Sequence, residues 1–258
     1  MELEQVKHTG LIAARKSADV LLSHFGKISS IKKKGAIDLV TIADTESEKT
    51  IINTIREKFP YHTILAEESG RSNERSDCKW IIDPLDGTTN YAHGLGVFAV
   101  SIAFAYKDEI QMGIVFNPTS NELFWAVKEQ GAFLNDVPIK TSATKSLSES
   151  LLVTGFPYNF KEIFSPLMSR FKNCLNEAQG IRRLGSAALD LCFVACGRFD
   201  GFWEQNLNPW DTAAGTLIVE ESGGKITDFS NNTFNVDMNE ILATNGNIHE
   251  QLIALLEI

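Results

Sequence analysis

The chain has 258 residues, enough for one large domain or two fused halves around a sizeable core. With 43% apolar and 22% charged residues it is neither disordered nor fibrous, and a net charge of -9 opposes broad nucleic-acid binding, which needs clustered Lys and Arg. The charged start "MELEQVKHTG" lacks the apolar stretch of a secretory signal and no apolar run reaches the length of a membrane span, so a cytoplasmic protein without membrane contact is expected.

In chain order, residues 3–25 read as an amphipathic helix, with Leu11, Ile12, Ala18, Leu21 and Leu22 near helical spacing. The lysines of "KKKGAIDLVT" (Lys32, Lys33, Lys34) read as a solvated loop, with reach towards a substrate phosphate as the other option. "ADTESEKTIINTIREKFP" reads as a helix that opens on acids and stops at Pro60. "HTILAEE" is a short strand ending in Glu67-Glu68, and "CKWIID" is a strand ending at Asp83. A hairpin around Lys107-Asp108 and the strand-rich "ELFWAVKEQGAFLND" follow, so the first half closes as an antiparallel meander on helices.

From about residue 146 strands and helices alternate. "LLVTGFP" is a strand, residues 161–178 a helix, and "RRLGSAALDLCFVACGRF" a strand edge running into a small-residue helix. "DGFWEQ" is a strand, and "NPWDTAAGTLIVEESGG" a helix with Pro209 at its start and Gly223-Gly224 at its end. "KIT", "EILATN" and "HEQLIALLE" close the chain as strand, strand and helix. The pattern predicts a layered α/β fold in two halves, about 1–145 and 146–258, with no long linker.

Cys78, Cys174, Cys192 and Cys196 do not imply disulfides in a chain of this size without a signal. Cys192 and Cys196 are expected as buried core thiols, and the five scattered histidines show no zinc spacing. A metal here would be an oxygen-ligated one. Asp83 and Asp86 flank Pro84-Leu85 directly after an apolar strand, Glu67 ends the preceding strand, and Asp211 sits in the first turn of a helix. Hard dications take carboxylate, carbonyl and water oxygens, and Pro84 lowers the cost of ordering the turn. Gly87, Thr88 and Thr89 follow at once and can present backbone N–H groups to a phosphate. Each acid alone also fits a surface turn. Carboxylates beside a phosphate cradle, however, repel the substrate unless cations stand between them, so the set predicts metal-assisted phosphoryl chemistry. Asp190, in an apolar helix, needs a partner such as Arg182 or Arg183. Asp38 and Glu68 are candidate supports of the site, and Trp203 and Trp210 are expected to pack near it.

"WIIDPLDGTTNYAHG" and "NPWDTAAGTLIVEESGG" resemble the two signature motifs of the inositol monophosphatase family, the magnesium-dependent, lithium-sensitive phosphatases. "DLVTIAD", "AEES", "GAFLND", "RRLGSAALDLC" and "DGFWE" match in order, so the resemblance covers nearly the whole chain. It implies a single domain over 1–258, a five-layered αβαβα sandwich of the inositol monophosphatase and fructose 1,6-bisphosphatase type, and a homodimer.

The resemblance also implies roles. Glu67, Asp83 and the Leu85 carbonyl would bind one Mg²⁺; Asp83, Asp86 and Asp211 a second; Glu67 and water a third. Thr88, held by Asp44, would orient the attacking water, with Glu67 in the same catalytic group. Asp86, Gly87, Thr88, Gly185, Ser186, Ala187 and Glu204 would contact the substrate. The expected activity is hydrolysis of a small polyol or sugar phosphate, with inositol 1-phosphate first. Fructose 1,6-bisphosphate or a dual-specificity relative is the alternative within the class, and a regulatory protein on the same fold is the alternative outside it.

Overall fold

In the computed structural model, which describes residues 3–27, 31–33 and 39–257 (backbone alone at 31–33 and 39–41), the chain forms two mixed sheets with helices between and outside them. It opens with α1 (Leu3–His24), the short antiparallel pair β1 (Ile31–Lys33) and β2 (Leu39–Thr41), and α2 (Ile42–Arg56). The solvated-loop expectation for this lysine stretch is therefore corrected in part: Lys32 and Lys33 lie on a paired strand. Ile31, Val40 and Thr41 are β-branched residues that suit such pairing. Lys34 and Asp38 lie outside the described residues, as do the side chains of Lys32 and Lys33.

The first sheet comprises β3 (Thr63–Ala66), β4 (Gly70–Arg71), β5 (Cys78–Asp86), β6 (Ala99–Tyr106), β7 (Glu109–Asn117), β8 (Glu122–Val127), β9 (Ala132–Leu134) and β10 (Val137–Pro138). Its spatial order is β10-β9-β8-β7-β6-β5-β3-β4, antiparallel throughout except for the parallel pair β3 and β5. The hairpin between β6 and β7 turns on Lys107 and Asp108, both at positive φ (51° and 63°), as a two-residue turn matched to strand twist requires. The helix α3 (Thr88–Ala92) starts two residues after β5 ends.

The second sheet comprises β11 (Leu151–Thr154), β12 (Gly180–Arg182), β13 (Gly201–Gln205), β14 (Lys225–Thr227) and β15 (Glu240–Thr244), in the order β12-β11-β13-β15-β14. Its helices are α4 (Phe164–Glu177), α5 (Ala187–Ala195), α6 (Pro209–Glu221) and α7 (His249–Leu256).

Alternation along the strands sets the layers, because successive side chains point to opposite faces. Trp80 and Ile82 of β5 join the α1 and α2 faces (Val6, Ala13, Leu21, Ile51, Ile55) in one core, while Ile81 joins α5 and α6 in another. In the second sheet Val153, Phe202 and Ala243 face α5 and α6, and Leu152, Trp203 and Leu242 share a core with Cys174 of α4 and Leu252 of α7. The result is the expected αβαβα stack. The central core draws on both halves of the chain, with Val115 and Phe124 packed in the same cluster as Leu189 and Ile218. Each such large apolar side chain contributes roughly 1.5–3 kcal/mol on burial.

One glycine sets how closely the central layer sits. A Cβ at Gly113 of β7 would stand 2.4 Å from the Ala214 carbonyl oxygen, so α6 lies directly on the strand only because that position is bare. Asp211, in the first turn of α6, is thereby held at a fixed height over the sheet.

At the far end, the buried His249 ring has its two nitrogens 2.9 Å from Thr227 Oγ1 and 2.8 Å from Thr244 Oγ1. Burial, then Lys225, pushes its pKa down to about 4, against a smaller upward pull from Glu250. The folded state thus binds this proton less readily than the unfolded chain, where histidine titrates near 6.5. Stability from this group is complete above about 6.5 and is lost as pH falls towards 4. Urea titrations between pH 7 and 4 should show a loss on the order of 3 kcal/mol from this residue, and His249→Gln should flatten that part of the slope.

Candidate active site

The strand β5 does not end at Asp83 as its apolar pattern suggests; it runs to Asp86 through an irregularity. Asp83 pairs with Ser101 and Asp86 with Ala99, so three steps on β5 oppose two on β6. Pro84, which has no N–H, lies inside this bulge, where a missing donor costs little. Asp83 Oδ1 accepts the Leu85 N–H at 2.9 Å, closing a tight turn over the proline. Ser47 of α2 donates to the Pro84 carbonyl at 2.9 Å and lies 2.6 Å from Ser17 of α1, so both outer helices pin the bulge from behind.

The parallel pairing of β3 with β5 sets Ala66 beside Ile82, and the Glu67 N–H donates to Ile82 O at 3.2 Å. Glu67, one residue past the end of β3, and Asp83, at the bulge of β5, therefore lie side by side at one end of the sheet. Gly87 then turns the chain at φ 94°. A Cβ there would lie 2.9 Å from the Val97 carbonyl oxygen, so the turn needs glycine for both conformation and space. Thr88 Oγ1 donates to Leu85 O at 3.1 Å. A hydroxyl has one hydrogen, so an Asp44 acceptor for Thr88 would require it to rotate. Asp44 itself is buried in the first turn of α2.

Asp86 joins the two halves. Its Oδ2 accepts the Ser186 hydroxyl at 2.6 Å and the Ala188 N–H at 2.8 Å, which places a buried carboxylate at the N-terminus of α5. Ser186 is also the N-cap of that helix, accepting from Leu189 N at 3.4 Å. Asn90 of α3 donates to the Val97 and Leu184 carbonyls at 2.7 and 2.8 Å, which locks α3 to the segment carrying Gly185. Asp211 Oδ2 accepts the Asn208 N–H at 2.7 Å at the start of α6. Ser47, Asn90 and Asn208 were not singled out in the sequence. The only signal there was a polar residue on an otherwise apolar face or just ahead of a helix.

These elements enclose a cavity of about 390 Å³. Glu67, Asp83, Leu85, Asp86, Gly87, Thr88, Gly185, Ser186, Ala187, Glu204 and Asp211 all line it, and Asp44 does not. Phe156, Tyr158 and Phe160 add an aromatic wall, and Arg183 is the one cationic side chain on the lining among the described residues. Trp203 is buried in the outer core and Trp210 packs on the central one, in keeping with their expected packing role.

Five carboxyl groups thus face one guanidinium, and Asp83, Asp86, Glu204 and Asp211 are all pushed towards protonation. Burial first, then Glu67, Asp86 and Asp211, drives Asp83 well above the usual carboxyl range. Burial raises Asp86 to about 6 against the opposing hydrogen bonds from Ser186 and Ala188. Burial and then Asp86 raise Asp211 to about 7, and Asp83 and Asp211 stand within hydrogen-bonding reach of each other. Burial and then Asp211 raise Glu204 to about 8. Asp190 lies behind this wall, fully buried, with neither carboxyl oxygen hydrogen-bonded. The expected arginine partner is corrected: Arg183 only moderates the strong upward push of burial, Glu204 and Asp86 on Asp190.

The donor set is all oxygen, with no thiol or imidazole, which suits a hard dication. Among the described residues the acids are not gathered tightly enough around one point to form a closed metal cage. Mg²⁺ does not require one: it takes one or two protein carboxylates and keeps water and substrate oxygens for the rest. The buried, mutually repelling acids fit such an ion.

A sequence model of the inositol monophosphatase family matches residues 2–258. An inositol-1-monophosphatase of Synechocystis is 47% identical over 235 residues, covering 90% of this chain and 82% of that protein. The Nus factor SuhB of Escherichia coli is 41% identical over 245 residues, covering 94% and 92%. The crystal structure of the extragenic suppressor protein suhB from Bartonella henselae superposes with a TM-score of 0.94 at 39% identity, over 98% of each chain. The layered fold and the acid-lined cavity define a phosphatase architecture. This chain belongs to the inositol monophosphatase family.

Ser186→Ala removes one donor from a buried carboxylate and the cap of α5 together. It should lower unfolding stability by about 1–3 kcal/mol in urea titration while leaving the far-ultraviolet spectrum unchanged.

Proposed function

We propose that the protein is a Mg²⁺-dependent phosphomonoesterase acting on a small polyol phosphate, with inositol 1-phosphate as its first substrate. The observation that carries the reading is the convergence of Glu67, Asp83, Asp86 and Asp211 on one cavity wall beside the Gly87-Thr88 turn. Such a set repels a phosphate dianion unless cations intervene, and its own charge gives cations a reason to bind.

Glu67, Asp83, the Leu85 carbonyl, Asp86 and Asp211 would hold two or three Mg²⁺ ions. Bound there, the metal supplies a water acidic enough to be a nucleophile near neutral pH, and charge to neutralise the entering and leaving oxygens. The remaining work falls to the chain. The Gly87 turn positions the phosphate over the end of β5. Thr88 Oγ1 donates its hydrogen to Leu85 O, which leaves its lone pairs to accept a hydrogen bond from an attacking water and so orient it; turned the other way, the same hydroxyl would be held by Asp44, as the resemblance implies. Ser186 and Ala188 hold Asp86 by one oxygen and so fix the direction of the other. Glu204, Asp86 and the Gly185-Ser186-Ala187 segment face the ring of the substrate, where Glu204 is a hydroxyl acceptor.

Phosphate release should be measured from inositol 1-phosphate, fructose 1,6-bisphosphate, histidinol phosphate and 3'-phosphoadenosine 5'-phosphate, with Mg²⁺ or with EDTA. Release from inositol 1-phosphate is expected with Mg²⁺ and is abolished by EDTA; a higher kcat/KM on fructose 1,6-bisphosphate would reassign the substrate. Asp86→Asn should cut kcat by about a thousandfold or more with the fold retained, since the carboxylate serves both metal and helix. Normal turnover in that variant would sink the mechanism.

The relative named Nus factor SuhB favours a second reading, a regulatory role on the same fold. Stoichiometric capture of a protein partner by a preparation lacking phosphatase activity would support it. The homodimer is proposed from the family resemblance, and sedimentation at the monomer mass across micromolar concentrations would refute it.

A further inference from the structure

Glu204 lies in an unusual position for a buried acid. Its carboxylate faces the cavity, 7% of the residue is exposed, and among the described residues it has no hydrogen-bond partner. What holds it in place is a gap. Thr154 and Trp203 are register partners in the parallel pair β11 and β13, so Gly155, just past the end of β11, lies beside Glu204, which is still on β13. The side chain of Glu204 lies across Gly155. A Cβ on Gly155 would fall 2.0 Å from Glu204 Oε2 and 2.2 Å from both Oε1 and Cδ, well inside any real contact. The three atoms nearest that hypothetical Cβ all belong to the Glu204 carboxylate. Unlike Gly87 and Gly185, Gly155 does not adopt positive φ, so its backbone does not require glycine. The missing side chain has one evident structural use, which is to seat the Glu204 carboxylate.

We propose that Gly155 determines the selectivity of the cavity: it leaves the recess that seats Glu204, and so fixes where a hydroxyl on the substrate ring must stand relative to the phosphate. The inference rests on reading the cavity as a phosphomonoester site and adds to it the residue that sets its hydroxyl register. The substrate class it specifies is a phosphate ester with a free hydroxyl that donates to Glu204. An alanine at 155 displaces the carboxylate from the recess and separates phosphate binding from ring recognition. Gly155 is a positioning residue acting through Glu204.

The test is a double-mutant cycle on the full chain with Mg²⁺: wild type, Gly155→Ala, Glu204→Ala and the double variant. Two quantities are read, kcat/KM for inositol 1-phosphate and the competitive Ki of inorganic phosphate, which has no ring hydroxyl. Gly155→Ala should lower kcat/KM by about tenfold, the scale of a lost hydrogen bond, while Ki moves by less than about twofold. In the Glu204→Ala background the same substitution should change kcat/KM by less than about twofold, because the group it acts through is gone. An unchanged kcat/KM in Gly155→Ala, or an equal loss in both backgrounds, would overturn the proposal. Should Gly155→Ala fail to fold, the double variant decides: it should melt with Glu204→Ala if the clash is with the carboxylate, and failure to fold there too overturns the assignment. A wild-type protein that releases no phosphate at all sinks the phosphatase reading and this one together, whereas active wild type with no effect at 155 sinks this one alone.

Discussion

The contact on which the structure turns is the one between Asp86 and the start of α5. A single carboxylate oxygen takes a hydroxyl hydrogen from Ser186 and a backbone hydrogen from Ala188, a hundred residues further along the chain. A buried carboxylate is costly unless it is met by donors, and a helix N-terminus has donors with no partner of their own. Each group answers the other's deficit. The bond fixes α5 against the end of β5, and that junction forms the wall between the two halves of the cavity.

Around this junction the architecture works to hold acids close together. Left alone, four or five carboxyls in one 390 Å³ space would repel each other apart. They stay because each rides on an element that is packed elsewhere. Asp83 and Asp86 flank a bulge pinned from behind by Ser47, Asp211 rides on α6, and α6 is seated on β7 by the bare Gly113. Apolar packing in three cores thus carries the electrostatic cost at the site. The raised protonation of Asp83, Asp86, Glu204 and Asp211 is the residue of that cost, and a bound dication is the chemical means of relieving it.

Much of this was legible in advance. The strand and helix order followed from alternation and caps, and the placement of Glu67 and Asp83 side by side after neighbouring apolar runs followed from those runs. The family motifs pointed to nearly the whole acid set. Three features were not legible. The continuation of β5 through Pro84 was hidden because a proline ordinarily ends a strand, and only the unequal pairing with β6 accommodates it. The isolation of Asp190 was hidden because a nearby arginine in sequence says nothing about the direction of its side chain. The aromatic wall of Phe156, Tyr158 and Phe160 was hidden because a loop's orientation depends on what it packs against.

The sequence by itself determined the elements, the alternation that assigns each strand residue to a core, and the chemistry of the ligand set, because these depend on neighbours a few residues apart. The tertiary structure decided which oxygens are spent on the fold and which face the cavity. Ser186 is claimed by Asp86 across a hundred residues, and Glu204 lies over the bare Gly155 just past the end of the adjacent strand. Those outcomes depend on distances between segments remote in the chain, and local pattern carries no information about such distances until the sheets have paired and the helices have settled between them.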